Sequence, residues 1–245
     1  PCCSTFSLYL RPNFQEMAQK TSEEAHNEHN DTNSAVGKMK KELGPAGFVG
    51  MIAGLVIIVV TSAIFLLNYS KSNKNDSAQA DMFQAQYYFE QDSLDLALNG
   101  DGRNLGFLSI IDIYGGTEAA NLSNYYVGAI YLKEQKFQLA LDHLKDFSSS
   151  EELIQARAYK LTGDAYMELG NFSDAASQYE KAASTADDDA FSPAYLLKAS
   201  LAYEKQGDLK AAIKPLDDII KNHFGTAEYA SARKHKARLE GLAGS

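Results

Sequence analysis

A pattern of small and aromatic residues recurs three times in the second half of the chain, and it constrains the fold more than any other feature. Its tyrosines are Tyr131, Tyr166 and Tyr203, so successive copies are 35 and 37 residues apart. A period in this range is typical of helix–turn–helix repeats that stack into a solenoid. The sequence therefore predicts an all-α fold in which a superhelix of repeats follows an N-terminal segment of different character. The other residues in phase are Gly128, Phe137 and Ala140; Gly163, Phe172 and Ala175; and Ser200, Leu209 and Ala212.

The repeated positions resemble those of the tetratricopeptide repeat (TPR). The middle copy departs from the TPR pattern at Thr162, where leucine is usual, the first copy has Gln135 in place of the turn glycine, and the third has Ser200 in place of a helix glycine. The resemblance implies a superhelix whose surface binds other proteins. The matching residues of the middle copy are Tyr159, Gly163, Tyr166, Gly170, Phe172, Ala175, Tyr179 and Ala182.

The spacing divides the second half of the chain into ranges. Three TPR units are expected over 121–226, and a helix over 227–245 is expected to cap them, because an open solenoid end is apolar. A degenerate first repeat with an insertion at 99–104 is expected over 77–120. Its residues in phase are Ala85, Tyr88, Leu94 and Ala97.

An apolar segment over 46–68 predicts one transmembrane anchor, followed by a linker over 69–76. About 20 apolar residues span the hydrocarbon core of a bilayer as a helix, and this range lies in a run of 28 uncharged residues. Gly50 and Gly54 form a G-x-x-x-G motif that allows two membrane helices to pair. Such pairing would produce a homo-oligomer or a contact with a partner span, and ordinary anchor composition is the alternative.

The lysines beside the anchor predict its orientation. Lys38, Lys40 and Lys41 precede it and only Lys71 and Lys74 follow it, which favours a cytoplasmic N-terminus by the positive-inside rule. No small-residue cleavage site follows the segment, so we expect it to be retained. The expected location is a bacterial inner membrane, crossed once, with the TPR domain in the periplasm.

The N-terminal ranges differ from the rest in composition. Residues 17–45 are mostly polar, and we expect them to form a disordered cytoplasmic tail. Residues 1–16 are expected to be a non-native or artefactual leader, because Met17 opens a polar sequence typical of a true N-terminus. The cysteines of the chain, Cys2 and Cys3, lie in this leader and indicate neither a disulfide framework nor a metal site.

The sequence predicts a non-enzyme without catalytic residues, metal or cofactor. The glycine-rich stretch after Asn99 fails as an EF-hand loop, since Ala97 and Gly106 would stand where oxygen ligands are needed. Motifs for a nucleophile elbow, a P-loop or a zinc protease do not occur in the sequence. Residues 77–245 contain 16 Lys and Arg against 25 Asp and Glu, which argues against nucleic acid or anionic lipid as partners.

The layout of tail, anchor and compact TPR array resembles the YfgM-like ancillary subunits of the bacterial Sec translocon. The stretches 97–108 and 114–120 look like the version found in Bacteroidetes. The resemblance implies a scaffold that contacts translocon subunits, periplasmic chaperones or client chains. A scaffold for cell-wall or outer-membrane assembly, or a regulatory subunit of a membrane complex, are the alternatives.

TPR geometry predicts that the first helix of each repeat lines a protein-binding groove. Ala129 and Asp164 occupy positions at which TPR clamps for carboxylate tails have asparagine, so we expect the groove to bind peptide segments or a folded partner instead. For Leu197 and Leu201, packing against neighbouring helices is an equal alternative. The predicted groove residues are Tyr125, Ala129, Leu132, Arg157, Lys160, Asp164, Met167, Leu197, Leu201 and Lys205.

Overall fold

The computed structural model describes residues 14–243, and the chain divides into two compact units at the boundary between Asn68 and Tyr69. The described residues form ten α-helices and no strand, with one isolated backbone pairing between Gly100 and Leu105. The predicted all-α fold is confirmed. The helices are α1 (Phe14–Glu90), α2 (Leu94–Asn99), α3 (Phe107–Ile113), α4 (Glu118–Lys133), α5 (Phe137–Asp146), α6 (Glu152–Glu168), α7 (Phe172–Ala186), α8 (Ser192–Gln206), α9 (Leu209–Asn222) and α10 (Ala227–Ala243).

Helix α1 includes the range 17–45, for which the sequence predicts a disordered tail, and the range 69–76, for which it predicts a linker. Residues 14–43 contain no proline and many Glu, Gln, Lys and Ala residues, whose high helix propensity explains the helical tail. The helical backbone is interrupted at Gly44, which has a φ of 67° and a ψ of 171°. Most of the predicted leader, residues 1–13, lies outside the described residues.

The predicted anchor lies within α1. Its segment Val49–Glu90 contains an apolar window long enough to cross a membrane, and none of that window is buried. Val59 and Leu67 are 66% and 71% exposed. Exposed apolar side chains over such a length are expected where lipid replaces water as the solvent. This segment therefore has the length and composition of a single membrane span.

Four turns of the same geometry divide the second unit into helical hairpins. The turn residues Asp92, Gln135, Gly170 and Gly207 have left-handed backbones, with φ of 56°, 60°, 76° and 87°. In every turn the next backbone N–H donates to the carbonyl oxygen of the repeat tyrosine, over 2.8 to 3.0 Å. This bond belongs to the Schellman motif that ends many helices. The same bond follows Tyr88, so the range predicted to be a degenerate first repeat has a turn of the same geometry as the three later copies.

Small residues on the first helices allow close packing within each hairpin. A Cβ atom at Gly163 would lie 2.7 Å from Cε1 of Tyr179, so only glycine fits there without rearrangement. In the third copy the buried Ser200 replaces glycine, and its hydroxyl donates to the carbonyl oxygen of Ala212 over 2.7 Å. A hydrogen bond between the helices thus accompanies this departure from the repeat pattern.

The insertion between α2 and α3 is a tight turn organised by Asp101. Its carboxylate accepts hydrogen bonds from the backbone N–H groups of Asn104 and Arg103 and from the hydroxyl of Tyr88. These bonds, that from Asn104 above all, hold the pKa of Asp101 well below its ordinary value. The Asp101 carboxylate therefore holds the loop in its turn conformation.

Helix α10 covers the apolar end of the last repeat. Ala232 and Leu239 of α10 are fully buried in one cluster with Leu216 and Ile219 of α9. Burial of this kind is what a solenoid cap requires.

Candidate protein-binding cleft

A cleft of about 640 Å³ lies among the first helices of the three clear repeats, α4, α6 and α8. The turn after α4, the start of α5 and one side chain of α7 complete its lining. Apolar and charged side chains alternate along it, so it offers both packing surface and hydrogen-bond donors. Helix α4 contributes Leu132 and Lys133, α6 contributes Asp164, Met167 and Glu168, and α8 contributes Lys198 and Leu201.

Asp164 is the centre of a polar network in this cleft. Its Oδ2 atom lies 2.6 Å from Nζ of Lys160, and its Oδ1 atom lies 3.1 Å from Nζ of Lys198. The hydroxyl of Tyr179 donates to the same Oδ1 atom over 2.7 Å. One carboxylate thus joins α6, α7 and α8, and both of its oxygens are occupied.

The environment of Tyr179 keeps its hydroxyl protonated. Burial raises the pKa of Tyr179 far above its ordinary value, and the negative charge of Asp164 raises it further. The ring also lies 5.5 Å from Nζ of Lys198, a cation–π distance. Tyr179 is therefore a fixed hydrogen-bond donor that positions Asp164, not an acid that titrates near neutral pH.

A family model described as tetratricopeptide repeat matches the chain twice, over residues 128–193 and 161–225. The chain contains tetratricopeptide repeats. The two matches overlap and include all of α5 to α9, so the cleft lies among TPR helices. TPR arrays are non-catalytic folds that bind other proteins, which gives this chain a protein-binding scaffold role. No curated protein matches the sequence.

The TPR cleft brings together four of the ten predicted groove residues, namely Leu132, Asp164, Met167 and Leu201. Lys160 reaches the cleft through its ion pair with Asp164. Leu201 is 41% exposed, so packing against neighbouring helices leaves part of its side chain accessible. Whether these residues bind a partner stays a prediction.

The other five predicted residues lie elsewhere on the first helices. Tyr125 packs its ring against Phe147, and Ala129 is half-buried. Arg157 is exposed, and its guanidinium lies 5.6 Å from the centre of the Phe191 ring. The remaining two differ in burial, since Leu197 packs against a core cluster whereas Lys205 is exposed.

Some cleft residues are absent from the prediction. Lys133 and Glu168 occupy the position of Lys205 in the two earlier copies, so applying that one phase to every copy would have found them. Lys198 has no such signal, because its phase corresponds to Leu161 and Tyr126 in the earlier copies. It enters the cleft because its long side chain extends to Asp164 on the preceding repeat.

A smaller cleft of about 330 Å³ continues from Leu201 toward the cap helix α10. Glu204, one turn beyond Leu201, accepts hydrogen bonds from Arg238 Nη2 and His235 Nε2, each over 2.7 Å. The bond from Arg238 is the main cause that lowers the pKa of Glu204 to about 2. Because Leu201 lines both clefts, they form adjoining parts of one surface.

A further cleft, of about 790 Å³, is lined by α7, α9, the start of α8 and the loop between α7 and α8. Two of its carboxylates, those of Asp188 and Asp189, have partners within the chain. Asp188 accepts from the backbone N–H groups of Ala190 and Phe191, and Asp189 pairs with His223. Within the part of the chain that the structure describes, no group of His, Cys, Asp and Glu side chains is arranged to hold a metal ion.

The predicted helix-pairing residues Gly50 and Gly54 lie on the apolar stretch of α1. A Cβ atom at either position would meet no other atom within 4 Å. Space for a second helix is therefore present at both glycines, and pairing stays a prediction.

Proposed function

We propose that the chain is a non-enzymatic, membrane-anchored TPR scaffold that binds proteins on the extracytoplasmic side, as an ancillary subunit that links chaperones or client chains to the secretion translocon. The observation that carries the proposal is the cleft among α4, α6 and α8. It combines exposed apolar side chains such as Leu201 with a fixed polar network at Asp164. A protein segment with mixed side chains has contacts for both.

The apolar helix and the family resemblance support the remaining parts of the proposal. An unburied apolar stretch in α1 is suited to hold the scaffold at a membrane. The excess of lysines before this stretch favours the extracytoplasmic side for the repeats. The translocon role rests on the resemblance to its YfgM-like ancillary subunits.

Cysteine labelling tests the orientation. In a chain with Cys2 and Cys3 replaced by serine, Lys205→Cys should react with a membrane-impermeant maleimide in intact spheroplasts. Lys38→Cys, on the other side of the anchor, should react only after the membrane is permeabilised. The opposite pattern would place the repeats in the cytoplasm and end the periplasmic proposal.

Affinity isolation from native membranes tests the partner class. With the full chain as bait, mass spectrometry should find translocon subunits or periplasmic chaperones enriched over a bait that carries the same anchor without the repeats. Enrichment of cell-wall or outer-membrane assembly proteins instead would favour the envelope scaffold. Enrichment of one membrane enzyme would favour a regulatory subunit.

A further inference from the structure

The Asp164 network has more positive than negative charge. Two ammonium groups, those of Lys160 and Lys198, contact one carboxylate. Each ammonium has three donors, and the contact with Asp164 uses one of them. The two side chains are 31% and 43% exposed. Both lysines therefore keep exposed side-chain surface, Lys198 in the lining of the cleft and Lys160 beside it.

This local surplus contrasts with the rest of the domain. Residues 77–245 have 16 Lys and Arg against 25 Asp and Glu. Around the cleft, Lys133 pairs with Asp92 and Glu168 adds a carboxylate to the lining, whereas Lys160 and Lys198 both contact the single carboxylate of Asp164. The group of Lys160, Lys198 and Asp164 thus carries one net positive charge on a domain that is acidic overall.

Apolar side chains adjoin the ammonium pair. Leu132, Met167 and Leu201 line the same cleft as Lys198, and Leu201 is 41% exposed. A ligand that places a carboxylate at the lysines would have a neighbouring apolar group within reach of these side chains. The site combines a charge-assisted contact with an apolar anchor, the combination that gives peptide grooves affinity together with selectivity.

We propose that the cleft recognises acidic protein segments in which an Asp or Glu side chain lies beside an apolar residue. The segment's carboxylate accepts hydrogen bonds from Lys160 and Lys198, and its apolar neighbour packs on Met167 and Leu201. This inference rests on the proposed scaffold function and specifies the chemistry of the partner.

Charge complementarity favours this occupant over a basic or a neutral segment. A lysine or arginine of the ligand would be repelled by the two ammonium groups and would have to compete with them and with Tyr179 for Asp164. A wholly apolar segment would leave the exposed ammonium donors without a partner and cover them from water, which is unfavourable.

Peptide selection tests the inference directly. The full chain is reconstituted in nanodiscs of zwitterionic lipid and used to select from a random peptide display library, with empty nanodiscs as background. The enriched peptides should be acidic and should carry Asp or Glu next to Leu, Ile, Met or Phe. A synthetic peptide of an enriched sequence should bind Lys198→Gln about tenfold more weakly than the original chain, the loss expected for one charge-assisted hydrogen bond.

The matched control is Lys210→Gln, which removes an exposed lysine from the second helix α9. Its affinity for the peptide should equal that of the original chain, and far-UV circular dichroism should show all variants equally helical. Enrichment of basic or neutral peptides would overturn the inference and leave the scaffold function intact. Equal losses in both variants would show general charge attraction and overturn the assignment to the cleft. Failure to enrich any peptide would also overturn the inference, whereas the scaffold proposal, which includes folded partners, is tested separately by the affinity isolation.

Discussion

Replacing Gly163 by alanine tests the packing that holds the middle repeat and its cleft together. The added Cβ atom would lie 2.7 Å from Cε1 of Tyr179, well inside the 3.4 Å at which ordinary contacts begin. Tyr179 is 2% exposed, and its hydroxyl donates to Asp164. The ring therefore cannot move aside without disturbing the packed core or losing this hydrogen bond.

We expect Gly163→Ala to lower the free energy of unfolding by about 1–3 kcal/mol. Overpacking costs about 1–3 kcal/mol, and weakening the Tyr179 hydrogen bond costs about 1 kcal/mol. The higher helix propensity of alanine offsets about 1 kcal/mol of this loss. Urea unfolding of the full chain in detergent micelles, followed by far-UV circular dichroism, measures the change.

Gly241→Ala provides the matched control for this substitution. Gly241 lies in α10 with no atom within 4 Å of the added Cβ position, so the same change should stabilise the helix by about 0.5–1 kcal/mol. Opposite shifts of the two urea midpoints are the expected result. If Gly163→Ala raises the midpoint as Gly241→Ala does, the close approach of α6 and α7 is refuted.

Three further predictions concern the turns and the titrating groups. Gln135→Gly should raise the free energy of unfolding by about 0.5–1 kcal/mol, because residues other than glycine are strained in the left-handed backbone region that Gln135 occupies. An unchanged urea midpoint would contradict this prediction. Burial lowers the pKa of His143, so the unfolded chain gains a proton first and stability should fall below pH 6.5. Urea midpoints across this range should show a weaker dependence for His143→Gln. Glu204→Gln should lower the free energy of unfolding by about 1 kcal/mol at neutral pH. The difference in free energy between the two chains should shrink as the pH falls from 4.5 towards 2, because protonation of Glu204 removes its pairing with Arg238. Acid unfolding curves of both chains measure it.

The helical hairpins could be predicted from the sequence because their determinants are local and periodic. Tyrosine and glycine at a fixed spacing indicate where a helix ends in a left-handed turn, and this holds for Gly170 and Gly207. Where the glycine is missing, the position within the repeat still predicts the left-handed turn. Gln135 and Asp92 occupy the turn position and adopt the same backbone.

The cleft was only partly predictable because its central contacts join different repeats. Asp164 could be chosen from its phase on α6, but its partner Lys198 stands 34 residues later in a phase that the earlier copies fill with packing residues. The N-terminal tail shows a different limit. Its low apolar content predicts disorder, whereas its Glu, Gln, Lys and Ala residues favour the helical backbone that the structure shows there.

Site-specific photocrosslinking in native membranes tests the central claim, that this TPR array binds proteins through the cleft. A photoreactive amino acid replaces either Leu201 in the cleft or Leu139 on the second helix α5. The two leucines are matched in exposure, at 41% and 45%. We expect protein adducts from position 201 and few from position 139. Adducts from position 139 alone, or equal yields from both positions, would contradict binding through the cleft.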